Sequence, residues 1–272
     1  MGPRPWLIFR RRPPRNAGRR RTKRRYIVIT AVGRRAASSW ATDESAGCPE
    51  SSLVGPCHPD EGEALTQDVW PLVHAERAAL IEALAGLGDE QWREESLCTG
   101  WTVHDVTAHL VDTALTTRTG FLLGLARARF DFDQQNAVGV ARRRGDDPQE
   151  TLRRLRRVAT RRSTPPAPLD SRLVEEVVHG EDIRRPLGLK RRYPTGVVTR
   201  ALLCQTRTSA SFGGAKELVS RVRLTATDTK LEIGDGPGVT GPALSLLLAV
   251  SGRMVALDDL SGPGVEMMVT EL

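Results

Sequence analysis

Glu175 and His179 stand four residues apart in the stretch Leu173-Val-Glu-Glu-Val-Val-His179. On a helix that spacing puts both side chains on one face, one turn apart. Val174, Val177 and Val178 surround them, so the face is at least partly buried. A buried carboxylate and imidazole need partners, because burying polar groups unpaired is costly. His109, at an inward position of another predicted helix, can complete the set. Two imidazoles and one carboxylate leave open positions on a tetrahedral or five-coordinate ion, the arrangement that catalytic zinc uses. Plainer uses remain open at this point. A Glu-x-x-x-His pair commonly makes a surface ion pair, and a lone core histidine is commonly satisfied by a hydrogen bond.

These residues need helices to hold them, and the apolar spacing supplies four. Val69, Leu72, Val73, Leu80, Ala83, Leu84 and Leu87 recur at helical intervals, with Gly88 as a stop. The second helix starts at Thr102, with Asp105 in the capping-box position and Trp101 placed to staple onto Val106. Val106, His109, Leu110 and Thr113 then share a face, and helical sequence continues through Phe121–Leu125. Pro148 opens a third helix with Leu152, Leu155 and Val158 inward and its arginines outward. Asp170 or Ser171 caps the fourth, which ends before Pro186. The segment Asp131–Asp147 fits either a helical extension or a long loop.

After Pro194 the pattern changes. Val197–Leu203 reads as helix, Arg221–Ala226 and Leu231–Ile233 as short strands, and Gly234–Gly238 as a turn. Pro242–Val250 reads as a buried helix closed by Gly252. The fold class is therefore mainly α, a four-helix bundle over 67–190 followed by a small α+β domain over 191–272.

Other polar residues compete for attention. His104 lies off the Val106 face and reads as exposed, a decoy. Glu176 sits one residue from the Glu175 stripe and reads as solvent-facing, though it could exchange roles with Glu175. His74, near Leu72 and Val73, is an outside candidate for the ligand shell. Cys98 precedes a helix, where a thiol pKa can fall, but a loop cysteine is more often inert. No G-x-S-x-G elbow, P-loop or G-x-G-x-x-G is present, which leaves serine hydrolase, nucleoside-triphosphatase and dinucleotide-binding readings without support.

Charge is unevenly spread. Residues 1–66 hold 13 Lys/Arg and 6 Asp/Glu, which accounts for the whole net charge of +7. Residues 67–272 hold 27 of each sign, so the folded part has no basic excess and no nucleic-acid partner is expected of it. Residues 1–66, Arg/Pro-rich and then Ser/Gly/Pro-rich, read as a disordered tail, either solvated or translated from a misassigned start. The four cysteines form no C-x-x-C pair, and no apolar run approaches membrane-span length. Both point to the reducing cytoplasm and away from membranes.

The string Cys98-Thr-Gly-Trp-Thr-Val-His-Asp-Val-Thr-Ala-His-Leu110 resembles the second-helix signature of the mycothiol-dependent maleylpyruvate isomerase family, within the DinB-like superfamily. Leu173–Gly188 resembles its fourth-helix signature, Trp70–Leu87 its first helix, and Gly234–Val265 its small C-terminal domain. The resemblance implies that His109, Glu175 and His179 hold a divalent metal, expected to be Zn2+, and that mycothiol is the thiol cosubstrate. It implies cis–trans isomerisation by reversible addition of the thiolate to a small electrophile. A dicarboxylate substrate needs cations, and Arg142 and Arg143 are the candidates. The alternatives are a mycothiol S-transferase acting in detoxification and a non-catalytic metal-binding module.

Overall fold

The computed structural model describes residues 68–271; the tail assigned to residues 1–66 lies outside them. Four helices form the bundle: α1 (Val69–Ala85), α3 (Val103–Leu115), α6 (Pro148–Val158) and α7 (Ser171–Arg184). Contacts run α1 to α7, α7 to α3, α3 to α6 and α6 back to α1, so the four close into a ring. A short helix, α2 (Asp89–Arg93), precedes α3 and buries Trp92 beneath it.

The starts of these helices follow the sequence chemistry. Thr102 Oγ1 accepts from the Asp105 amide while Asp105 Oδ2 accepts from the Thr102 amide, a reciprocal cap of the kind that contributes about 1 kcal/mol. Asp147 caps α6 through the Glu150 amide, with Pro148 in the first turn. Asp170 occupies the cap position of α7 but makes no cap hydrogen bond. Its carboxylate instead accepts from Arg200 at 2.6 Å, a charged partner that a backbone amide does not outcompete.

Between α3 and α6 the chain makes an excursion of two helices, α4 (Arg118–Arg127) and α5 (Phe132–Arg143). The expected continuation of α3 through Leu125 is interrupted at Thr116–Thr117, where Thr117 caps a new helix through the Gly120 amide. The Asp131–Asp147 segment is mostly helix, capped by Asp131 and packed on α3. Its approach is close enough that a methyl group at Gly139 would collide with Asp112.

The C-terminal part begins with α8 (Thr195–Arg207), which lies on α7. Three short strands follow: β1 (Arg223–Ala226), β2 (Glu232–Ile233) and β3 (Gly238–Gly241). Their order is β2-β1-β3, with β1 antiparallel to β2 and parallel to β3. The parallel β3 was not anticipated; its Gly-Val-Thr-Gly sequence carries one apolar side chain, too few for an alternation to show. Helix α9 (Ala243–Val250) is buried between this sheet and α8 and ends at Gly252, whose φ of 84° only glycine adopts freely. Helix α10 (Val265–Glu271) closes the described chain.

Two apolar clusters form the core. One unites α2, α3 and α6 with Leu80, Leu84 and Ile183. The other joins Val69, Val73, Val174 and Val178 to the apolar residues of α8, α9 and the sheet. Helix α7 feeds both clusters, and all 14 of its residues are buried.

Candidate metal centre

Helix α7 supplies most of the site because neighbours cover it on every side. Glu175 and His179 face α3, and His109 faces back from it. All three are buried, with 2%, 5% and 1% of their surface exposed. His109 Nε2 lies 3.5 Å from Glu175 Oε2, and His179 Nε2 lies 3.7 Å from the same oxygen. The donor atoms of the three fall within 4.8 Å of one another. The two rings meet edge to face at 4.8 Å between centroids, and Trp101 covers His109 at 5.2 Å.

His109 Nε2 and Glu175 Oε2 are buried and have no hydrogen-bond partner. Their 3.5 Å separation is too long for a good N–H···O bond, and buried groups left unpaired cost about 1–3 kcal/mol each. Two orphaned donors and a third nitrogen converging on one point fit a divalent ion, which would satisfy all three. Two histidines and one carboxylate are a donor set that zinc accepts with a position left open.

The electrostatics agree with this reading. Burial pushes the His109 pKa below its usual value and keeps the ring neutral, its lone pair free. Burial would raise Glu175, but His109, His179 and Arg172 outweigh it and hold the carboxyl at about 2. Burial would likewise lower His179, yet Asp182 and Cys98 raise it to about 10. Ligation through Nε2 needs that nitrogen free of its proton, so an ion and a proton would compete for it.

A layer of support lies behind His179. Its Nδ1 donates to Asp182 Oδ2 at 2.8 Å, which fixes the ring and turns Nε2 toward Glu175. Asp182 also accepts from Cys98 Sγ at 3.0 Å and from Arg253 Nε and Nη2 at 2.9 and 2.6 Å. Against the effect of burial, Arg253 keeps the Asp182 carboxyl well below the ordinary carboxylate range. Cys98, His179 and Asp182 also group closely enough to suggest a second ion. Here, however, the atoms already satisfy one another, and a guanidinium occupies the place where a cation would sit. We read this group as the brace of the first.

The remaining sequence candidates fall as follows. His104 is buried, not exposed: Nε2 lies 2.7 Å from Thr151 Oγ1 and the ring meets the edge of Trp92. Packing of α6 on α3 covers the face that the Val106 stripe left out, and His104 takes no part in the ligand group. Glu176 is also buried, with 3% of its surface exposed, because α1 covers that side of α7. It accepts from Arg77 Nε at 2.8 Å. His74 stacks obliquely on Trp70, away from the ligands. Arg142 and Arg143 line a cavity of about 290 Å3 with Asp112, Gln135, Phe121 and Leu123. Arg143 Nε is paired with Asp112 at 3.0 Å, and none of the three metal-ligand candidates lines this cavity.

Sequence reasoning missed Asp182, Arg253 and Arg172. Asp182 was within reach, three residues after His179 and so on its side of the helix. Arg253 had no signal, since it arrives from the loop after α9, 71 residues from Asp182. Arg172 had no signal either, since the carbonyl it reaches, that of Thr113, lies 59 residues away.

Residues 73–172 match the family model described as the mycothiol maleylpyruvate isomerase N-terminal domain. That part of the chain is thus similar to this family's N-terminal domain, in line with the resemblance. No curated protein matches. Among solved structures, a histidine-to-alanine mutant of the mycothiol-dependent maleylpyruvate isomerase aligns with a TM-score of 0.50 and 15% identity, covering 75% of this chain and 93% of that one. Another structure of the mycothiol-dependent maleylpyruvate isomerase aligns over the same shares with a TM-score of 0.46 and 14% identity. The first alignment bears out the fold class, a helical bundle with a small C-terminal α+β part.

Proposed function

We propose that this chain is a metal-dependent, mycothiol-dependent enzyme of the maleylpyruvate isomerase type. The observation that carries the proposal is the convergence of His109 Nε2 and Glu175 Oε2, both buried and unpartnered, with His179 Nε2 beside them. The N-terminal domain match supports the thiol and the reaction class. A divalent ion on these donors, zinc by the chemistry of the set, supplies the Lewis acidity that keeps a bound thiol deprotonated at neutral pH.

The chain's own residues prepare that setting. His109, Glu175 and His179 hold the ion, Asp182 and Arg253 fix the His179 ring, and Trp101 shields His109 from water. The substrate's cis double bond takes up sulfur at one carbon, and its π pair moves onto the conjugated carbonyl. The former double bond, now single, rotates. The pair returns, the C–S bond breaks, and the trans isomer leaves with the thiol regenerated. Arg142 and Arg143 are our candidates for a carboxylate of the substrate; Arg143 is already paired with Asp112, so Arg142 is the freer of the two. The cytoplasm, reducing and rich in low-molecular-weight thiols, suits this chemistry and the free Cys98 and Cys204.

The test is an assay for isomerisation with and without mycothiol, in wild type and Cys98→Ser. The reading requires turnover that depends on added thiol and survives loss of Cys98. Activity without thiol that vanishes in Cys98→Ser would transfer the nucleophile to the protein. Accumulation of a stable thioether would make the enzyme an S-transferase, and inactivity with metal bound would leave a binding module.

A further inference from the structure

Arg172 is 1% exposed, among the most completely buried side chains in the molecule. Burying a guanidinium is expensive, and hydrogen bonding does little to offset it here. Nε has no partner, and Nη1 reaches only the Thr113 carbonyl oxygen at 3.4 Å. Its closest acidic neighbour is Glu175, whose Oε1 lies 3.8 Å from Nη2. The next carboxylate along, Glu176, is held by Arg77, itself 1% exposed, at 2.8 Å. The two consecutive glutamates of α7 thus have one buried arginine each. Glu175 is divided between its partners: Oε1 toward Arg172, and Oε2 toward His109 and His179.

We propose that Arg172 is a resident counter-cation for Glu175, a positioning residue that holds the carboxylate in place when the metal is absent. Its positive charge opposes a divalent cation on the far oxygen, so the same residue moderates metal affinity. Without Arg172 the ion-free protein would bury an under-compensated carboxylate, whereas the loaded protein would have the ion as a substitute. Loss of Arg172 should therefore harm the ion-free form more than the loaded form. By thermodynamic linkage the variant must then bind metal more tightly. The loaded half of this inference rests on the metal-centre reading above; the ion-free half stands without it.

The experiment uses the full chain as wild type, Arg172→Met, Glu175→Gln and the double variant. Each is melted after chelation and again with zinc, and zinc affinity is measured by competition. Expected in the ion-free form is strong non-additivity: each single variant strands one buried charge, the double strands none, and the double recovers at least half the Tm lost by the worse single. Expected on zinc addition is a smaller Tm loss for Arg172→Met than in the ion-free form, with zinc affinity raised about tenfold. Additive losses in the double, equal losses with and without zinc, or weaker zinc binding by Arg172→Met would each overturn the proposal. If wild type fails to bind zinc, the metal centre falls while the ion-free comparison still decides the pairing. Should a single variant not fold, the double is the arbiter, and its failure to fold would count against the pairing as well.

Discussion

Asp182→Asn tests whether the brace behind His179 matters as the geometry says it must. The native carboxylate is fully buried and accepts from His179, Cys98 and both Nε and Nη2 of Arg253. Asparagine keeps the shape but removes the charge and turns a donor toward donors. Arg253, with 11% of its side chain exposed, then loses the counter-charge that justified its burial. Breaking a buried pair from one side costs about 3–5 kcal/mol. For a body of this size each kcal/mol shifts Tm by about 2–4 °C, so a fall of roughly 6–20 °C is expected in a calorimetric scan of the ion-free protein. Zinc affinity should fall about 10–100-fold in competition titrations, the usual effect of losing the carboxylate behind a ligating histidine. A Tm within about 3 °C of wild type, together with zinc affinity within about threefold, would refute the argument. It would mean that the His179 ring is held by packing alone.

Other expectations follow from the same geometry. Purified protein should carry about one divalent ion by elemental analysis, since one set of orphaned donors is present among the described residues; His109→Ala or His179→Ala should abolish it, and full occupancy in the double alanine variant would exclude the site. His104→Ala should keep the ion but lose about 1–3 kcal/mol of stability in denaturant melts, from the lost hydrogen bond to Thr151, whose hydroxyl keeps only the Gly145 amide, and from the gap left beside Trp92. Burial raises the Cys204 thiol to about 11. A raised acid pKa means stability that is complete below the unfolded value near pH 8.5 and is lost as pH climbs through 11. Wild type should therefore lose roughly 2–3 kcal/mol more than Cys204→Ala between pH 8 and 11, at about 1.36 kcal/mol per unit. Parallel pH curves for the two proteins would contradict this.

The bundle was legible because its helices carry local signals. Thr102 with Asp105, and Pro148, mark helix starts through chemistry confined to a few residues; the structure forms the Thr102 cap and starts α6 at Pro148 as the sequence implies. The apolar stripes set the inward faces of α1, α3 and α6 for the same reason. Where sequence reasoning failed, the deciding partner lay far along the chain. His104 and Glu176 were assigned outward because the first sits two residues from the Val106 face and the second one residue off the Glu175 stripe, an inference that assumes a helix covered on one side. Helices α3 and α7 are covered on several, so polar residues off the stripe are buried and must find partners such as Thr151 and Arg77. Arg77 is 99 residues from Glu176, a separation no local pattern encodes.

That failure bears on the site itself. A helix as completely buried as α7 cannot place Glu175, Glu176, His179 and Asp182 inside without assigning every charge a partner. Arg77 answers Glu176, Arg253 answers Asp182, and Arg172 stands beside Glu175 at 3.8 Å, the longest of the three pairings. Glu175 Oε2 and His109 Nε2 are what this pairing leaves over. A core that satisfies its neighbouring carboxylates at 2.6–2.8 Å yet leaves these two atoms facing each other across 3.5 Å is the ground on which the proposed metal centre stands.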